Sequence, residues 1–301
     1  MGCGQSKVVE QDKKSGSKFP VCSLTVPISL EVDSIAAFNE DKIILGGKGE
    51  LQSFDLKQKN ISVISKDHLS RINSIIKLTN GSIATAGQDS NICIWDIDKN
   101  ECIGNLTGHT SYIWTINELK NNKLISGSDD KQCKIWDLNT MKEEFTLYKS
   151  HKEISEAIQL KNEKILLATG KQLLLFDLET KAQVSCADLK GGAWVLKELS
   201  SGDILAGQGK GVIAVIKVTD EVQIKTFIKN IHTKTVTFCI ELDNNKIVTA
   251  ADDNEAVLWD INEPDFKFIL KGHNGVITGL TKIKGNSFAT VSRDNTLKIW
   301  E

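Results

Sequence analysis

Residues 108–137 read GHTSYIWTINELKNNKLISGSDDKQCKIWD. Within this stretch LISGS and CKIWD are short alternating runs on either side of a polar Asp-Asp-Lys cluster, the pattern of two β-strands joined by a tight turn. Four residues able to hydrogen-bond punctuate it: His109, then Ser126, Asp130 and Trp136 at 17, 21 and 27 positions further on. The same offsets recur for His68, Thr85, Asp89 and Trp95, for His232, Thr249, Asp253 and Trp259, and for His273, Thr290, Asp294 and Trp300.

Working outward, each unit closes on an aromatic or apolar residue followed by a polar one. These pairs are Phe54-Asp55, Trp95-Asp96, Trp136-Asp137, Phe176-Asp177, Ile216-Lys217, Trp259-Asp260 and Trp300-Glu301, separated by 41, 41, 40, 40, 43 and 41 residues. A fixed period of that length marks a repeat architecture of seven units, and helical periodicity is hard to find anywhere along the chain.

With its Gly108-His109 and Gly272-His273 dipeptides, the chain resembles the WD-repeat β-propeller family over residues 21–301. The resemblance implies an all-β, seven-bladed propeller with four strands per blade around a central channel. It also implies that the four recurring residues are structural. The chemistry agrees: an indole N–H only donates, a hydroxyl donates and accepts, an imidazole bridges two groups and a carboxylate accepts at the end. Units one, four and five depart from the pattern. Unit four keeps His151 but has Phe176 at the Trp position, and unit five has neither His nor Trp, so apolar packing is expected to hold these blades.

The last Trp stands at the end of the sequence, so the seventh unit lacks a following outer strand. The alternating stretch VCSLTVPISL, residues 21–30, is the natural donor, and the ring is expected to close by this N-terminal strand completing the last blade. Pro27 suits that place because an edge strand tolerates a missing N–H. The expected organisation is therefore a tail over 1–20 and a propeller over 21–301.

Catalytic chemistry is hard to find. All five histidines lie at or next to the repeat's His position, and the trio His109, Ser126 and Asp130 is better read as scaffold than as a nucleophilic triad because it recurs. The pairs Asp129-Asp130 and Asp252-Asp253 read as one structural and one solvent-facing carboxylate each. GQGKG at 207–211 opens a strand and not a helix, which argues against a phosphate-binding loop. We therefore expect no enzyme activity, no cofactor, no metal and no small-molecule substrate. A net charge of −2 makes nucleic acid an unsuitable partner, and the seven cysteines, odd in number and without a CxxC pair, read as reduced, buried thiols.

The resemblance implies partner proteins docking where the loops entering the inner strands meet the turns before the Trp-bearing strands. By repeat position that face comprises Arg71, Tyr112, Trp114, Glu153, Trp194 and Thr235 beside the inner strands, with Gln88, Asp129, Asp252 and Arg293 in the turns. Trp114 and Trp194 stand out because neither occupies a structural Trp position.

The start, MGCGQSK, fits N-myristoylation of Gly2 after loss of Met1, with Ser6 in the favoured place and Cys3 open to palmitoylation. Lys7, Lys13, Lys14 and Lys18 against Glu10 and Asp12 give the tail a net +2, which leaves −4 on the rest of a chain of net −2. One acyl chain binds a membrane marginally, whereas a second chain or a basic patch makes attachment stable. The expectation is a scaffold for other proteins, tethered to the cytoplasmic face of a membrane through its acyl groups. The alternative is a soluble adaptor, such as a ubiquitin-ligase substrate receptor or a cytoskeletal or trafficking assembly subunit.

Overall fold

The computed structural model describes residues 19–65, 68 and 70–301. Its twenty-eight strands form seven four-stranded antiparallel sheets, and the only helical element among the described residues is a single 3-10 turn at Gly209–Gly211. Blades 1 to 6 are each made of four consecutive strands. Their inner strands are Val32–Ala37, Ile72–Lys77, Ile113–Leu119, Ile154–Gln159, Ala193–Glu198 and Val236–Glu241. Blade 7 takes Ile277–Lys284, Ser287–Ser292 and Thr296–Trp300 from the end of the chain and Cys22–Pro27 from its beginning.

That closure is the one expected. Cys22 lies opposite Trp300 and Pro27 opposite Thr296, while Val21 and Glu301 exchange backbone hydrogen bonds of 2.8 and 3.0 Å. The packed body begins slightly earlier than 21: the Phe19 ring stacks on Phe268 of blade 6 with centroids 4.8 Å apart. Gly2, Cys3 and the rest of the acylation signal lie outside the described residues.

Burial explains why the strands differ in composition. Second strands such as Ile83–Gly87 are buried at every position, being covered by neighbouring blades on both faces, and are built from Ile, Ala, Thr and Gly. Outer strands such as Glu101–Thr107 alternate between exposed and partly buried, as an edge with one wet face should. Seven apolar clusters result, each shared by two adjacent blades; one joins Leu166, Ala168 and Leu175 of blade 4 to Ala206, Ala214 and Ile216 of blade 5. The six described cysteines are all free thiols. Cys133 is fully buried, but Cys186 is exposed on an outer strand, which corrects a uniform expectation of buried cysteines. Among the described residues no helix is long and apolar enough to cross a membrane.

Candidate functional site

In blades 2, 3, 6 and 7 the spaced residues meet as continuous hydrogen-bond chains. In blade 3, Trp136 Nε1 donates to Ser126 Oγ at 2.8 Å, His109 Nε2 lies 2.7 Å from the same hydroxyl, and His109 Nδ1 lies 2.7 Å from Asp130. Blade 2 repeats this with Trp95 to Thr85 at 2.7 Å and His68 to Thr85 and Asp89 at 2.6 and 2.7 Å. Blade 6 is looser, with Trp259 to Thr249 at 3.1 Å and His232 to Thr249 and Asp253 at 2.9 and 3.1 Å. In blade 7, Trp300 donates to Thr290 at 2.9 Å, and His273 reaches Thr290 and Asp294 at 2.7 and 2.9 Å.

The direction of the chain follows from what each group can do. The indole must donate and an ionised carboxylate must accept, so a neutral imidazole donates from Nδ1 and takes the hydroxyl proton on Nε2. Burial pushes the His273 pKa down more than Asp294 lifts it, which keeps the ring in that neutral form. Burial opposes the ionised form of Asp253, but hydrogen bonds from His232 and the Thr233 and Glu255 amides outweigh it and hold the pKa at about 2. Asp130 and Asp294 are lowered by the same balance. His232, Asp253 and Glu255 offer ligand atoms within 4.8 Å of one another, yet both His232 nitrogens are already engaged by Asp253 and Thr249.

Blade 4 is different, and His151 is not the histidine of a fourth chain. It is solvent-exposed, and Ser150 instead hydrogen-bonds Thr169 at 2.7 Å. The reason is the turn: the second and third strands pair out to Thr169 and Gln172, leaving Gly170-Lys171, whereas in blade 3 pairing stops at Gly127 and Cys133. The shorter turn supplies no Asp for an imidazole to reach. Leu167, fully buried, occupies the place of Ser126. Blade 5 puts Ala206 there, and its turn contains Gly211 at φ 66°, where an added Cβ would sit 1.8 Å from the His232 carbonyl.

The loops entering the inner strands and the turns after the second strands lie at one end of the ring, here termed the histidine face. Backbone hydrogen bonds join them: Gln88 N to Arg71 O, Asp129 N to Tyr112 O, Asp252 N to Thr235 O and Arg293 N to Val276 O, all 2.9 to 3.0 Å. At the centre of this face a cavity of about 660 Å³ enters the channel, and Arg71, Gln88, Trp114, Trp194, Asp252 and Arg293 line it. Tyr112, Asp129, Glu153 and Thr235 do not line it. Asp129 accepts from Trp114 Nε1 at 2.6 Å, and Tyr112 meets the Trp114 ring edge-on, so both set the indole's orientation from outside. Trp194, 44% exposed, carries no such restraint.

Two features of the mouth escaped the sequence. Asp33 gathers Arg71 Nη1 at 2.7 Å and Arg293 Nη2 at 3.0 Å, with Glu31 also on Arg71, so three blades are pinned together there. Glu156, from the inner strand of blade 4, faces the channel. Its Oε1 accepts from Thr115 Oγ1, from Asn117 Nδ2 at 3.2 Å and from the Ala157 amide at 3.0 Å. Burial pushes its pKa up to about 7 against these hydrogen bonds. The signal for both was the register of the inner strands, where Asp33, Asn73, Trp114, Ser155 and Trp194 are equivalent positions and Glu156 lies one further along.

The family description "WD domain, G-beta repeat" matches residues 59–96, 100–137 and 265–301. Cell division control protein 4 of Saccharomyces cerevisiae is 29% identical over 70 residues, 23% of this chain and 9% of that protein's length. The WD40 beta propeller domain of Doa1, a crystal structure, superposes with a TM-score of 0.82 at 16% identity, covering 94% of this chain and 97% of that one. The repeat matches and the shared ring support reading the chain as a WD-repeat protein folded as a seven-bladed propeller.

Proposed function

We propose that the chain is a non-catalytic scaffold that docks partner proteins on its histidine face and is held at the cytoplasmic side of a membrane by acyl groups on Gly2 and Cys3. The observation carrying the docking half is the mouth of the channel, where Trp114 and Trp194, both outside the structural tetrads, converge with Arg71, Asp252 and Arg293 on one cavity. Four of the five histidines are spent in hydrogen-bond chains that brace blades, and the fifth, His151, stands alone in solvent. That leaves no histidine free to act as a general base beside a nucleophile in the described body.

The tether rests on MGCGQSK and on geometry. Phe19 lies beyond Cys22, which pairs with Trp300 at the end of blade 7 opposite the histidine face. Phe19 and Val21, next to the proposed tail, thus lie at the end of the ring away from the docking face, which suits an anchor at Gly2. The likeness to a cell division control protein favours a second reading, a soluble adaptor serving that process. Intact-mass analysis from native cells, with fractionation of wild type and Gly2→Ala, separates them. Mass of myristate on Gly2 and release of the variant support the tether, and an unmodified soluble protein supports the adaptor. Trp114→Ala/Trp194→Ala should fold normally and lose partners recovered with the wild type; unchanged recovery removes the docking face.

A further inference from the structure

The cavity at the channel mouth has an uneven distribution of charge. Of the charged side chains lining it, Arg71 and Arg293 are both committed to Asp33. The remaining two are acids, Glu156 and Asp252, and neither is in an ion pair among the described residues. Glu156 is the deeper one. Its Oε1 is saturated by Thr115, Asn117 and the Ala157 amide, while Oε2 has no hydrogen-bond partner among the described residues and is not among the sealed buried atoms, so it opens onto the cavity.

The walls beside it are aromatic. By register Trp114 and Trp194 occupy equivalent places on the inner strands of blades 3 and 5, flanking blade 4, with Glu156 one residue further down the channel. Trp114 is fixed by its bond to Asp129 and by the edge of Tyr112, so its orientation exists before any ligand arrives. An indole face attracts a cation, and a carboxylate short of a partner attracts one more strongly.

We propose that the channel mouth receives one basic side chain from an extended segment of a partner protein, its charged end on Glu156 and its stem between Trp114 and Trp194. This deepens the docking reading above and rests on it. Arginine suits the place best, since its planar guanidinium can lie against an indole and address a carboxylate at its edge. The raised pKa of Glu156 belongs to the same picture. Burial lifts it, and no nearby charge contributes, although Asp33, Asp252, Arg71 and Arg293 lie around the mouth and Lys197 of the blade 5 inner strand lies close enough to act on Cys239. An arriving cation supplies the missing compensation, so binding favours the ionised carboxyl and releases a proton near neutrality.

The test uses the full chain and two short peptides, one with a single arginine among alanines and one with citrulline in its place, which keeps shape and hydrogen-bonding but removes charge. Binding is followed by calorimetry up to roughly 5 mM peptide, a range that reaches weak single-anchor affinities. The arginine peptide should bind the wild type about tenfold or more tightly than the citrulline peptide, and Glu156→Gln should erase that preference. Affinity for the arginine peptide should also weaken severalfold from about pH 8 to about pH 6 in the wild type and stay flat in Glu156→Gln. Glu156→Gln keeps the hydrogen-bonded shape, and a cooperative thermal transition in that variant checks that it folds. No binding of the arginine peptide to the wild type, or an unaltered preference in Glu156→Gln, overturns the proposal. Equal binding of the two peptides, lost in Trp114→Ala/Trp194→Ala, overturns the basic anchor while leaving the docking face standing.

Discussion

Blades 3 and 4 are neighbours with the same strand order, yet they are braced by opposite means. Blade 3 carries a buried polar chain from Trp136 through Ser126 and His109 to Asp130; blade 4 fills the corresponding space with Leu167, Leu174 and Phe176. Both solutions close the sheet, because a buried polar group costs little once every donor and acceptor is matched, and an apolar side chain needs no match. What differs is the dependence on solution conditions. The polar blade ties its stability to protonation states, whereas the apolar blade ties it to packing volume.

The largest effects should come from breaking each device in its own way. Leu167→Ala leaves a cavity in the core shared with blade 3 and should cost about 2–5 kcal/mol. Asp130→Ala strands the buried His109 without its acceptor and should cost about 2–4 kcal/mol. Urea midpoints measure both. If Asp130→Ala proved neutral while Leu167→Ala did not, the polar chain would be an ornament of blade 3 and not its brace.

A middle-sized effect separates the two kinds of blade by acid. Asp130, Asp253 and Asp294 have folded pKa values below the usual carboxylate value, and His273 lies below the usual imidazole value. In each case the unfolded chain binds protons first on acidification, so the stability these groups contribute is lost as pH falls, for Asp253 between 3.8 and about 2. Hydrogen exchange corrected for intrinsic rate should show strands of blades 6 and 7 losing about 1 kcal/mol more protection at pH about 3 than strands of blades 4 and 5. Equal losses in all blades would remove the distinction.

The smallest effect has the opposite sign. Glu156 has its folded pKa raised from 4.5 to about 7, so the folded state holds its proton longer and stability falls as pH rises through that window. Glu156→Gln should therefore be more stable than the wild type at pH about 8 and indistinguishable from it at pH about 4, read from thermal midpoints. A variant destabilised at both pH values would assign Glu156 a bracing role like that of Asp130.

The repeat, the four tetrads and the closing strand were legible because each depends on residues within one period of the chain or on the count of periods. Trp300 at the end of the seventh unit forces a donor from elsewhere, and only residues 21–30 alternate without a unit of their own. The mouth of the channel was legible in part. Trp114 and Trp194 announce themselves by size, but Asp33 becomes the meeting point of Arg71 and Arg293 only after the ring brings blades 7, 1 and 2 together across 260 residues of sequence. Glu156 is one glutamate among many until the register turns it into the channel. His151 misled because a one-residue difference in a turn removes the acceptor without erasing the histidine.

The strand Cys22–Pro27 also has a mechanical meaning. Its hydrogen bonds to Thr296–Trp300 start at the Val21 and Glu301 pair, the end nearest Phe19. Tension arriving through the residues before Phe19 would load first the stacked Phe19 and Phe268 rings and then the Val21 and Glu301 pair. Such a load meets blade 7 before any other sheet, and the surface that loss of Cys22–Pro27 would uncover is the backbone edge of Thr296–Trp300.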